Sequence, residues 1–246
     1  MRIARAARVV VAAAACGALL TSCASGSDDG SKKDDAGAGP GKSAQAGSVD
    51  LRRIPDVGDR LQSKIPKEAR QVVAVYGDGE DSAKSTVVLY TKSGAKDATW
   101  DKARSWPAHN GKKGWTTDHR ENDKRSPVGV FTLTDAGGVL ADPGAKLPYT
   151  KSASIQAPHY WPKTHWHDFD YVIAIDYNRA KGTPPNDPTR PQGQAKGGSI
   201  WLHMDHGSGT SGCVSLSKPG MEYLLRTLDP KQHPVVVMGD KANLDA

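Results

Sequence analysis

The stretch Ser199 to Ser217, SIWLHMDHGSGTSGCVSLS, holds the residues best suited to covalent chemistry. An apolar run delivers His203, Gly207 and Gly209 let the chain turn, and Gly212-Cys213 opens a second extended piece, Val214-Ser215-Leu216. Such a reversal brings a cysteine ten positions downstream back beside the histidine. An imidazole within hydrogen-bond reach takes the thiol proton or holds a thiolate–imidazolium pair, so Cys213 reads as a nucleophile and His203 as its general base and acid. Gly212, with no Cβ, admits a carbonyl substrate closely and frees the backbone to aim its N–H groups. Amides at Ser211, Gly212 and Cys213 then suit a tetrahedral oxyanion, with the Thr210 and Ser211 hydroxyls beside it on the substrate side. The bland alternatives are a small buried hydrophobe at 213 and a tight turn at 212.

The other histidines and cysteines bear on that choice. Cys16 lies in an export signal and Cys23 at its end, so Cys213 is the one thiol left to a folded, exported domain. Exported chains usually pair or omit cysteine, and an unpaired one calls for a reason. His206 competes for the base role, but His203 sits inside the apolar run, so His206 is assigned to substrate contact. His165 and His167 stand among Tyr160, Trp161 and Trp166, where surface aromatics and a substrate-lining role are equally compatible. No His-Glu-x-x-His signature or ligand spacing for zinc is present, so neither metal nor cofactor is expected.

The N-terminal residues give an address. Arg2, Arg5 and Arg8 precede the apolar run Val9 to Leu20, which is too short for a permanent span and reads as an export signal. Leu20-Thr21-Ser22-Cys23 is similar to a bacterial lipobox, which implies cleavage after residue 22 and lipid on Cys23; an ordinary signal cut nearby is the alternative. Residues 24–48 contain no Val, Ile, Leu or aromatic residue, and 16 of the 25 are Gly, Ser or Ala. They cannot offset the entropy of ordering and read as a flexible tether, leaving 49–246 as a single domain with its core at about 65–240. Removing the three signal arginines from 33 basic against 27 acidic residues lowers the net charge from +6 to +3. No basic stripe is present, which excludes nucleic acid as the expected partner, and a monomer is expected.

The elements that must position these residues are mostly strands. Gln71 to Tyr76 and Ser85 to Thr91 read as a hairpin through Gly77-Asp78-Gly79, Val128 to Leu133 as a third strand, and Asp170 to Ile175 and Ser199 to Met204 as two more. Trp100 and Trp106 fall in a polar stretch without a clear period. Residues 134–168 read as loops with possible short strands, and 178–198, with four prolines, as a long loop. Met221, Leu224, Leu225 and Leu228 make one helical stripe, capped by Ser217 and closed by Asp229-Pro230. Pro234 to Met238 is the last strand.

His203 followed by Thr210-Ser211-Gly212-Cys213 resembles the active-site motif of the L,D-transpeptidase catalytic family. Glu121 to Phe131, with Ser126-Pro127-Val128-Gly129-Val130-Phe131, is similar to that family's Thr-Pro-x-Gly-x-Phe strand and its acidic lead-in, and Tyr177-Asn178 to a pattern of one secreted branch. The resemblance spans roughly 70–240. It implies a β-sandwich-like catalytic domain with one main amphipathic helix after the cysteine. It also implies peptidoglycan stem peptides as substrate, an acyl-enzyme formed by loss of a terminal D-alanine beside a dibasic residue, transfer to an amine or to water, and acylation by carbapenems. Tyr177 and Asn178 are carried over as substrate-side residues. With the tether, the implied place of work is the outer face of the cell membrane, facing the wall. Ser211 and Ser215 stand where the commoner motif has histidine and arginine or asparagine, which leaves donor specificity and acceptor open. A papain-like peptidase, which places cysteine before histidine, does not fit this order. A lipid-tethered wall-binding module without catalysis is the rival of a different class; its idle thiol would be an oxidation liability.

Overall fold

The computed structural model describes residues 50–92 and 98–246; the export signal, Cys23 and the tether read from the sequence lie outside them. The protein is mostly β, as expected. Strands β1 (Gln71–Gly77) and β2 (Lys84–Lys92) form the hairpin, paired antiparallel from Gln71 opposite Thr91 to Gly77 opposite Ser85. β3 (Trp100–His109) continues the meander, and this polar stretch was not legible as a strand. Much of it is solvent-exposed, so its ladder with β2, rather than apolar alternation, fixes it.

Two short strands, β4 (Trp115–Thr116) and β5 (Ser126–Pro127), pair with each other away from the main sheet. The remaining strands are β6 (Gly129–Thr132), β7 (Ala136–Gly138), β8 (Tyr149–Lys151), β9 (Val172–Ala174), β10 (Trp201–Met204), β11 (Val214–Leu216) and β12 (Val235–Asp240). With β1, β2 and β3 they make one mixed ten-stranded sheet in the order β6-β12-β1-β2-β3-β11-β10-β9-β7-β8.

Alternation along the strands sorts side chains by face. Val73, Val75, Val87, Leu89, Leu202, Val214, Leu216, Val236 and Met238 gather into one core, which is closed by Met221, Leu224 and Leu225 of a helix. The short helix α1 (Asp59–Gln62) contributes Leu61 to a second core over β1, β2 and β12, with Ile54, Val57 and Leu244. The main helix, α2 (Lys218–Thr227), starts where Ser217 accepts the Gly220 N–H, with Pro219 in its first turn, and presents the stripe read from the sequence. Leu244 belongs to the last helix, α3 (Lys241–Asp245).

One connection departs from expectation. The loop between His203 and Cys213 does not simply reverse the chain, because β10 and β11 are parallel neighbours with Leu202 opposite Val214 and His203 opposite Ser215. The loop therefore carries the chain back along the whole of β10 before β11 begins. A parallel pair needs that return.

Candidate active site

The parallel register decides which side chains share a face. Leu202 and Val214 point into the core, so their neighbours Trp201, His203, Cys213 and Ser215 take the opposite face. On that face Trp201 joins Val172, Ala174 and Ile155, with Phe169 and Cys213 packed against them. Phe169 meets both Trp201 and His203 edge-on, with ring centres 5.1 and 5.3 Å away. The Asp168 carbonyl accepts the Met204 N–H at 3.0 Å, which ties the 163–170 segment to the end of β10.

His203 is buried, and its Nδ1 lies 2.8 Å from the Met204 carbonyl oxygen. A carbonyl can only accept, so Nδ1 carries the ring hydrogen and Nε2 keeps its lone pair. Burial drives the imidazole down to a pKa of about 4, against the pull of the Met204 carbonyl and Asp168. At neutral pH it is an uncharged acceptor.

Cys213 is half-buried and free. Its Sγ donates towards the Ser199 carbonyl at 3.4 Å and accepts the Trp201 N–H, also at 3.4 Å. Burial pushes the thiol up to about 12, with the Trp201 N–H working weakly the other way. The resting pair is thus neutral thiol and neutral imidazole. Among the described residues the sulfur has no hydrogen bond to His203, yet both side chains line the same cavity of about 410 Å³, together with Lys112, Trp161, Asp168 and Phe169. A second cavity of about 280 Å³, walled by His119, Glu121, Arg190 and Gln194, meets the first at Ser211 and Cys213. The thiol sits where the two cavities join.

The loop before the cysteine is pinned from several sides. The Thr210 hydroxyl donates to the Cys213 carbonyl at 2.6 Å and accepts the Gly212 N–H at 3.1 Å. The Gly212 amide, expected to face an oxyanion, is therefore engaged inside the loop. The Ser126 hydroxyl donates to the Gly212 carbonyl at 2.7 Å and accepts the Gly111 N–H at 2.9 Å. Gly212 has φ +144°, and a Cβ there would meet the Arg125 carbonyl oxygen at 3.0 Å, so glycine is required for both conformation and space.

A strand-borne histidine whose tautomer is set by the next carbonyl thus shares a cavity with a Gly-Cys pair. A family model described as the L,D-transpeptidase catalytic domain, YkuD, matches residues 72–237. The chain belongs to the YkuD family of L,D-transpeptidase catalytic domains. No curated relative matches the chain.

Within this L,D-transpeptidase domain the remaining predicted site residues fall into two groups. Thr210, Ser211 and His206 line the larger cavity with Cys213 and His203. Tyr177 and Asn178 line neither cavity. The Tyr177 hydroxyl donates to the Lys196 carbonyl at 2.9 Å, and the Asn178 Nδ2 donates to the Gly193 carbonyl at 3.0 Å and the Gly197 carbonyl at 2.5 Å. The Asn178 Oδ1 accepts the Gln192 N–H at 2.7 Å. Both side chains hold the 178–198 loop in shape, and that loop supplies Arg190, Gln194 and Gly197 to the second cavity.

Ser215, at the position where the family's commoner motif carries a longer polar residue, is fully buried and donates to Asp205 Oδ1 at 2.7 Å. His109 Nδ1 reaches the same oxygen at 2.8 Å. Although burial pushes the Asp205 carboxyl up, the Ser215 and His109 hydrogen bonds hold it below its ordinary value. Lys112, His119, Asp168, Phe169 and Arg190 also line the two cavities, and no local motif marks them in the sequence. Ser126 is legible in the sequence as the entry to a strand and as part of the stretch that resembles the family's strand, not as the residue that pins the Gly212 carbonyl.

Proposed function

We propose that this domain is a cysteine acyltransferase that forms an acyl-enzyme on Cys213 from a peptidoglycan stem peptide and passes it to an amine. The observation that carries this reading is the position of Cys213 at the junction of two cavities, one of which it shares with His203. A peptide donor needs room on both sides of the nucleophile, one for its acyl portion and one for the departing amine, and an acceptor amine can then enter the latter.

In the first step a change of the Cys213 rotamer turns the thiol from Ser199 towards His203. Sγ attacks the donor carbonyl carbon as its proton passes to His203 Nε2, so the nucleophile is generated at the moment of attack rather than stored as a thiolate. The oxyanion is held by the Ser211 and Cys213 amides, since Thr210 occupies that of Gly212. Collapse breaks the C–N bond, and Nε2–H protonates the departing D-alanine amine. An acceptor amine then attacks the thioester, gives its proton to Nε2, and the C–S bond breaks to restore the thiol.

The departing and incoming amines both need His203, so both belong in the larger cavity. The acyl portion of the donor then lies in the second cavity, where Arg190 suits a carboxylate and Glu121 an ammonium, the two charged groups of a dibasic residue. Cell-surface work agrees with the export signal, the lipobox-like Cys23 and the tether, which we take as an anchor on the outer face of the membrane.

Intact-mass analysis after carbapenem exposure tests the nucleophile, and incubation of a stem tetrapeptide with an amine acceptor tests the transfer. One adduct per chain, lost in Cys213→Ala, and an amine-linked product are the expected results. An adduct elsewhere, or none, removes the mechanism; release of D-alanine with water alone as acceptor makes the domain a carboxypeptidase. Simple alkylation at neutral pH is a poor substitute, because a thiol buried and pushed up to about 12 reacts slowly in an active enzyme too.

A further inference from the structure

The wall of the larger cavity carries a second cluster that the acyl-transfer steps above do not use. His165 Nδ1 lies 2.9 Å from Asp168 Oδ2, and His206 Nδ1 lies 3.1 Å from the same oxygen. One donor atom from each of His165, Asp168 and His206 falls within 4.8 Å of the others, and the two imidazole centres are 4.2 Å apart. The Asp168 and His206 side chains are each only 4 % exposed. Neither ring nitrogen of His206 makes a hydrogen bond of good geometry, although both are buried, and the ring lines the cavity. A buried imidazole held to Asp168 at ion-pair distance, with both ring nitrogens outside hydrogen-bond geometry, costs free energy unless something completes it.

We infer that His165, Asp168 and His206 form a binding site for a divalent transition cation of the zinc type. Two imidazoles and one carboxylate are a donor set that zinc accepts, with a further position left to water or a ligand in the cavity. Tetrahedral coordination at about 2.0–2.1 Å separates ligand atoms by roughly 3.3 Å, so the Asp168 contacts need open only slightly and the two imidazoles close. A carboxylate set between two imidazoles also suits a cation better than an anion. His165 and Asp168 come from the 163–170 segment and His206 from the loop between β10 and β11, so an ion would clamp together the two pieces of chain that frame the cavity. No sequence signature announces such a site, since its ligands lie 38 and 41 positions apart from their partner.

The test uses the full chain carrying Cys213→Ala, with the remaining thiols alkylated, titrated with Co²⁺ and then displaced by Zn²⁺. The expected result is a d–d absorption band of one-to-one stoichiometry, and a raised melting temperature with Zn²⁺. His206→Ala and, separately, His165→Ala should each weaken binding by more than about tenfold, since even outer partners of metal ligands are worth that much. His165 is the more exposed of the two, so its variant guards against a folding defect at 206, and circular dichroism checks both. Absence of the band in Cys213→Ala, or an equal band in both histidine variants, overturns the site. Because the readout is spectroscopic and the nucleophile is gone, failure here is independent of whether the domain transfers acyl groups.

Discussion

Cys213 sits level with Trp201 on the neighbouring parallel strand, two residues short of His203, and its side chain and the imidazole face the same cavity. From strand spacing and rise, their Cβ atoms are about 8 Å apart. A thiol and an imidazole reaching towards each other can close that gap, whereas an antiparallel return would have placed them side by side. The offset leaves space beside the sulfur for a carbonyl group, while the resting thiol donates instead to the Ser199 carbonyl.

Acylation should retain its rate down to unusually acidic pH. The base is neutral His203, which burial holds down to about 4, while the thiol stays protonated up to about 12. Attack through general-base transfer needs the imidazole uncharged, so activity is lost only as pH falls towards 4, rather than near the ordinary value of about 6.5. Carbapenem acylation rates measured by intact mass between pH 4 and 8 check this. An acid limb close to 6.5 would mean that the imidazole is wet in the working state.

Stability should fall over the same range. The unfolded chain takes up a proton at His203 near 6.5 and the folded one only near 4, so between those values the unfolded state binds more protons and gains. The shift is worth about 3 kcal/mol by the time pH reaches 4, and nothing above 6.5. His119, also pushed down by burial, adds in the same direction, whereas the stability contributed by His206, raised by Asp168, is already complete below about 6.5 and stays constant over this range. Comparing wild type with His203→Gln in the presence of a chelator isolates the residue. The expected outcome is a shallower decline of melting temperature from pH 6.5 to 4 in the variant, and parallel curves would refute it.

Much of this arrangement was readable in the chain, for identifiable reasons. Val72 to Val75 and Val235 to Met238 are apolar because they are buried on both faces, and Met221 to Leu228 repeat at helical spacing because one face of α2 meets the core. The Cys213 and His203 pair followed from residue types held on either side of a glycine-rich turn. β3 was not readable, because an exposed strand held by its ladder leaves no apolar pattern. Asp168 and Phe169 were hidden for another reason: the order β11-β10-β9 brings their segment beside β10, and no local spacing encodes that. The parallel sense of β10 and β11 was likewise invisible, since a ten-residue gap allows either direction.

Ser215 should act on the catalytic base without touching substrate. Its hydroxyl bonds Asp205, which follows Met204, whose carbonyl sets the His203 tautomer. Ser215→Ala removes a hydrogen bond to the partly exposed Asp205 carboxylate, a loss of about 1 kcal/mol in stability. It should lower kcat roughly three- to tenfold, the effect of up to about 1.4 kcal/mol on the barrier, with KM unchanged because Ser215 lines neither cavity. Steady-state kinetics with a stem peptide and a melting curve measure both. A change in KM alone would instead mean that the residue acts on binding.

Asn178 gives the clearest separation between holding a loop and touching a substrate. Its side chain makes three hydrogen bonds to the backbone of 192–197, and its own φ of +45° lies in the left-handed region that asparagine tolerates better than alanine. Asn178→Ala should therefore cost about 2–4 kcal/mol, from the lost bonds and the strained backbone together. The loosened loop carries Arg190 and Gln194, so the donor KM should rise while the partition of the acyl-enzyme between amine and water, set in the other cavity, stays the same. Melting temperature, donor KM and product ratio, measured together, decide the matter. A raised KM at unchanged melting temperature would make Asn178 itself a substrate contact, because a direct hydrogen bond to a ligand contributes nothing to the stability of the free protein.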